Sequence, residues 1–116
     1  MPIFDFENQS LTFKMIGNAK SSDAIDISKY INEYSELLLS VTLGNFPYRV
    51  TLNIPTAELV DTVITYQCGS YSMNNIGTVV NVSCTREKVN LSAVNVNGKD
   101  VLPYSTIRIY AKWVIN

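Results

Sequence analysis

An all-β chain, folded as an antiparallel β-sandwich that is jelly-roll-like, with about seven to eight strands and one short helical turn, is what this sequence predicts. Three observations carry that prediction. Apolar and polar residues alternate in run after run, the two-residue period of a half-buried strand. Turn signals at Gly17-Asn18, Gly44-Asn45, Gly69 to Gly77 and Asn97-Gly98 divide the chain, and the runs between them recur at roughly ten-residue intervals, the spacing of a sandwich rather than of βαβ units. The final run, Ser105 to Ile115, sets Ile107, Ile109, Ala111, Trp113 and Ile115 against Arg108, Tyr110, Lys112 and Val114 almost to the last residue, so the end of the chain is pinned into a sheet.

The elements follow in order. Leu11, Phe13 and Met15 alternate with Thr12 and Lys14 in a first strand that stops at Gly17-Asn18. After a polar break, Ser28 or Asp26 caps a single helical turn through Lys29, Tyr30 and Ile31. Glu36 to Leu43 is a strand with Leu37, Leu39, Val41 and Leu43 inward, and it forms a hairpin with Tyr48, Val50, Leu52 and Ile54, which Pro55 ends by withholding its donor. Thr62 to Cys68 is β-branched and extended. It gives way to Gly69 to Gly77, the longest irregular stretch. Thr78 to Cys84 puts Val80, Val82 and Cys84 on one face; Lys88 to Val94 puts Val89, Leu91 and Ala93 on one face. Asn97-Gly98 is the strongest turn signal, because a type I′ turn needs positive φ at both central positions. Trp113 shares the face of Ile107 and Ile109 and belongs to the core.

Residues 1–116 make one domain, since a chain of 116 residues buries about two-thirds of the surface its unfolded form exposes. Apolar residues at 47 % with 16 % charged point to surface hidden by a partner and so to a homo-oligomer. Nine Lys and Arg stand against ten Asp and Glu, and no basic cluster is visible along the chain, which argues against nucleic acid. No apolar run approaches the ~20 residues of a membrane span, so membrane insertion is not expected. Met1 to Gln9 carries no basic region followed by an apolar core; the protein is expected to work in the cytoplasm that made it, to leave by lysis or in a particle, or to have been trimmed. Cys68 and Cys84 suit one disulfide or two free thiols packed as small apolar groups.

Chemistry is scarce. Without histidine the commonest general base, metal ligand and nucleophile partner are gone together, and two cysteines do not close a zinc site. Carboxylate pairs are open to glycosidase work, but the ten acids fall mostly in loops or at element ends, where they are solvated charge. The expectation is a non-enzymatic protein without cofactor or metal. What remains is a polar, aromatic-bearing surface of twelve Asn, eleven Ser, nine Thr and seven Tyr. Sugars are held by ring stacking and planar amide or hydroxyl hydrogen bonds, so Tyr66, Tyr71, Asn74 and Asn75 beside the long loop are the candidate ligand-binding residues. The competing account is packing: Asn, Ser and Thr serve turns and outward strand faces, and an alternating Tyr is commonly half-buried.

Taken as an ordered set, Ile25 to Tyr30, Glu36 to Val41, Val50 to Pro55, Val79 to Cys84, Val89 to Leu91, Asn97-Gly98 and Ile107 to Tyr110 resemble the C-terminal β-modules of tail-fibre and receptor-binding proteins in phages and prophages of Gram-positive and gut bacteria. The resemblance spans residues 25 to 112. It implies a β-sandwich head, commonly a trimer, displayed at the end of a fibre with other tail proteins and contacting a host-surface saccharide. That places the protein in the virion, on the phage tail, after assembly in the bacterial cytoplasm. The chain departs from that family in starting at Met1 without a collagen-like or coiled-coil shaft, which suggests an accessory tip or an excised domain. The resemblance supplies no binding residues. The alternative is a purely structural tail or head decoration protein that binds only other virion subunits.

Overall fold

The computed structural model describes residues 13–44, 49–71 and 77–113. Strands make up 65 % of it, in two antiparallel sheets that form a β-sandwich. Among the described residues nine strands run in order: β1 Phe13–Lys20, β2 Ile25–Asp26, β3 Tyr34–Thr42, β4 Arg49–Pro55, β5 Ile64–Tyr71, β6 Gly77–Cys84, β7 Lys88–Val96, β8 Lys99–Asp100 and β9 Thr106–Trp113. One sheet has the order β1-β9-β3-β4; the other has β2-β7-β6-β5, with β8 pairing on β7. The smallest principal extent of the molecule is 20 Å, the thickness of two layers packed ~10 Å apart with their side chains. Seven of the strands are seven residues or longer; β2 and β8 are two-residue pairings.

The apolar alternation becomes the core. Leu37, Leu39 and Val41 on β3 and Ile107, Ile109 and Ala111 on β9 face Val80, Val82 and Cys84 on β6 and Val89, Leu91, Val94 and Val96 on β7, all buried in one cluster. The β3–β4 hairpin has the expected register, with Leu39 opposite Leu52 and Leu37 opposite Ile54. Asn97 and Gly98 adopt φ of 55° and 79°, the paired positive values of a type I′ turn. No helix among the described residues is long and apolar enough to cross a membrane.

Four expectations change. The turn at 28–33 is not helical: Tyr30 N–H donates to the Ile27 carbonyl and Glu33 N–H to that of Tyr30, in separate turns. Short 3-10 turns stand instead at Thr56–Glu58 and Leu102–Tyr104. β1 runs on through Gly17-Asn18 to Lys20, because a bulge between Met15 and Gly17 swaps the faces; Phe13 and Met15 point outward, 41 % and 48 % exposed, while Ile16 and Ala19 pack on the core. A second irregularity, opposite Asn81 and Val82, inserts Ser92 into β7, so Val94 and Val96 are the inward residues and Ala93 turns to the outer face. β5 extends to Tyr71, pairing Gly69, Ser70 and Tyr71 of the expected loop with Val79, Thr78 and Gly77; residues 72–76 lie outside the described residues. The Trp113 backbone pairs with Tyr34; its side chain and Ile115 lie outside the described residues, as does Leu11.

Candidate functional site

Of the four residues expected to bind ligand, Tyr66 is the one whose side chain falls within the described residues. Tyr66 lies on the inward parity of β5, opposite Val82, and its ring packs on the core. Its hydroxyl donates to Glu58 Oε1 at 2.9 Å. Burial first, then that hydrogen bond and the carboxylate charge, push the phenol up to about 12. A ring packed on the core with its hydroxyl engaged suits the packing account of this position. Tyr71 closes β5 opposite Gly77, and its side chain lies outside the described residues, as do Asn74 and Asn75 altogether.

Register separates the cysteines. Cys68 is opposite Val80 and Cys84 opposite Ile64, four residues apart along the ladder or ~13 Å, well beyond the ~7 Å that a disulfide spans. Both are free thiols. Burial raises the Cys68 thiol, and pushes Cys84 up to about 12, the reverse of an activated nucleophile. Among the described residues no group of three or more His, Cys, Asp or Glu could hold a metal ion. A pocket of about 320 Å³ is lined by Ala24, Asp26, Ser28, Glu87 and Lys88. Ser28 engages the carboxylate in its wall: its hydroxyl and its N–H both donate to Asp26 Oδ1, at 2.7 and 2.9 Å. These bonds hold the Asp26 carboxyl below its usual range, whereas a glycosidase acid needs the opposite shift.

The outer faces of the two sheets are chemically different. On the β5-β6-β7 sheet three rows run Thr65-Ser83-Asn90, Gln67-Asn81-Ala93 and Gly69-Val79-Asn95, without a charge. Asn81 Oδ1 is buried there with no hydrogen-bond partner. On the β1-β9-β3-β4 sheet four rows run Phe13-Lys112-Glu36-Pro55, Met15-Tyr110-Leu38-Asn53, Asn18-Arg108-Ser40-Thr51 and Lys20-Thr106-Thr42-Arg49. This face combines an exposed Phe13 ring and a half-buried Tyr110 with amides and hydroxyls across the middle and the far end. Lys112 Nζ sits 5.8 Å from the Phe13 ring centroid, a cation–π contact. Ring faces beside planar amides and hydroxyls on one sheet surface are what stacking and multiple hydrogen bonds to a sugar require.

No local pattern marks this face in the chain, because its members come from four strands and are scattered over more than ninety residues. The alternation of Arg108, Tyr110 and Lys112 was visible in the chain, but their neighbours across β1, β3 and β4 depend on register. In comparisons with known proteins the chain matches no family model, no curated protein and no solved structure.

Proposed function

We propose that this chain is a non-enzymatic module of a phage virion for host attachment, the receptor-binding tip of a tail fibre, contacting host-surface carbohydrate through the outer face of the β1-β9-β3-β4 sheet. The observation that carries the reading is the composition of that face: Phe13 and Tyr110 stand beside Asn18, Ser40, Thr51, Asn53 and Thr106 on one four-stranded surface. The resemblance of residues 25 to 112 to fibre-tip modules supports the virion context. The absence of histidine from the sequence and the lowered, Ser28-bound Asp26 support a binding role over catalysis. In this reading the protein acts as a homo-oligomer, a trimer, alongside other tail proteins.

Binding of the purified protein to host cell walls tests the proposal. Wild-type protein is retained and Tyr110→Ala protein, folded by circular dichroism, loses most of its retention. Stacking on one ring accounts for roughly tenfold in affinity. No retention of folded wild-type oligomer on any wall would sink the attachment role. A second reading, a structural virion protein that binds only other subunits, is favoured by Phe13 and Met15, 41 % and 48 % exposed on edge strand β1, since exposed apolar pairs commonly mark protein contacts. Solution mass by light scattering bears on both: protection of Phe13 and Met15 from labelling within an oligomer assigns that edge to subunit contact and leaves the Tyr110 side to ligand.

A further inference from the structure

We infer that the saccharide recognised by the β1-β9-β3-β4 face is anionic. This rests on the reading of that face as the carbohydrate contact and adds the charge class of its ligand. Among the described residues the face gathers Lys20, Arg49, Arg108 and Lys112 with a single carboxylate, Glu36. That is four of the chain's nine cations and one of its ten acids, a net +3 on a chain whose total is −1.

The placement sharpens the point. Glu36 lies directly across from Lys112, close enough to offset that charge. Lys20, Arg49 and Arg108 lie in the two rows furthest from Glu36, and all three are exposed. Arg108 is one strand and one row from Lys20, and two strands and one row from Arg49, which puts their Cβ atoms ~8 and ~12 Å apart. The positions between them are Thr42, Ser40 and Thr106, hydroxyl donors without charge. Three cations at such separations across four strands meet successive anionic groups along an extended chain better than they meet one compact ion. Guanidinium groups bind carboxylate, sulfate and phosphate oxygens through paired donors. The opposite face of the sandwich has three uncharged rows across β5, β6 and β7, and at its β2 edge Lys88 lies across from Asp26, so it gathers no comparable excess of cations.

A glycan array of neutral, uronate-bearing, sulfated and phosphorylated saccharides, with polyglutamate and single-stranded DNA spotted as non-saccharide polyanions, tests the inference. Wild-type protein is expected on anionic saccharides, with weaker signal at 200 mM than at 50 mM salt. Arg108→Gln and Arg49→Gln each lower affinity roughly fivefold, the weight of one exposed charge contact, and the double variant falls to background. Lys99→Gln, which removes the same charge from β8 in the other sheet, leaves binding unchanged. These exposed polar substitutions leave the fold intact, which a matching melting temperature verifies. Retention on neutral saccharides alone, unaffected by the Arg variants, overturns the anionic assignment while the attachment role stands. Equal or stronger retention on polyglutamate or DNA overturns it as well, by making the face a general polyanion or acidic-protein surface. No retention on any saccharide overturns it together with the reading on which it rests.

Discussion

Replacing Gly17 by Ala tests whether the β1 bulge is fixed by packing rather than by backbone preference. An alanine Cβ built at Gly17 falls 2.5 Å from Ile25 Cγ2, and Ile25 is itself 7 % exposed and part of the core. That methyl is held on a β-branched carbon with little rotamer freedom, so the chain must shift β1 away from β2 or force Ile25 off its rotamer. Overpacking of this kind costs about 1–3 kcal/mol. Removing a glycine from a strand returns about 0.5–1 kcal/mol by narrowing the unfolded ensemble. The net expectation is a loss of about 0.5–2 kcal/mol. For 116 residues, at ~2.1 cal/mol/K per residue, 1 kcal/mol lowers the melting temperature by ~4 °C, so Gly17→Ala melts about 2–8 °C below wild type. The assay is a double-mutant cycle with Ile25→Ala, read by urea denaturation. Ile25→Ala alone costs about 2–4 kcal/mol, but it removes the obstructing Cγ2 and leaves Cβ at 3.7 Å, an ordinary contact. The second substitution is then cheaper by ~1 kcal/mol or more, a coupling that independent sites do not show. A Gly17→Ala protein as stable as wild type, or additive costs in the cycle, would refute the packing explanation.

Further expectations concern the turn, the titrating groups and the thiols. Gly98 has φ of 79° with nothing within 4 Å of its virtual Cβ, so Gly98→Val costs ~1–2 kcal/mol from backbone strain alone, whereas Gly98→Asn loses less than half of that in the same denaturant titration. Tyr66 and Cys84 both titrate in the folded state at about 12, above their ordinary 10 and 9. A raised folded value means that their contribution is complete below the unfolded value and disappears as pH climbs through the folded one; stability therefore declines between pH 9 and 12, and Cys84→Val flattens the early part of that decline while Tyr66→Phe flattens the part above pH 10. Both cysteines are free, with Cys84 1 % exposed and Cys68 only partly buried. A thiol reagent modifies Cys68 first, and Cys84 reacts at the rate of opening of the β5-β6-β7 sheet; a missing thiol in the unfolded protein would contradict the register of β5 and β6.

Much of this architecture was legible in the chain because period-two patterning acts locally. Leu37, Leu39 and Val41 on β3, Val80 and Val82 on β6, and Ile107, Ile109 and Ala111 on β9 are buried as their alternation requires. Asn97-Gly98 turned as its conformational tolerance dictates. The places where alternation misled are the two irregularities in β1 and β7, where one extra residue inverts the faces downstream. Nothing in the local sequence marks Ile16 or Ser92 as the inserted residue; the partner strand does.

The candidate site divides the same way. Tyr66 attracted interest as a polar aromatic near a loop, yet only the pairing of β5 with β6 turns its ring inward, and only the 3-10 turn at Thr56–Glu58 supplies the carboxylate its hydroxyl meets. The separation of Cys68 from Cys84 is likewise a matter of register, not of spacing. By itself the sequence determined the seven longer strands in outline, their buried faces away from the two irregularities and the absence of histidine chemistry, since propensity, periodicity and composition act within a few residues. The tertiary structure decided which cations share a surface: Lys20, Arg49, Arg108 and Lys112 are spread along a chain of near-zero net charge and became neighbours only when β9 paired between β1 and β3, because sheet order and register are set by long-range packing.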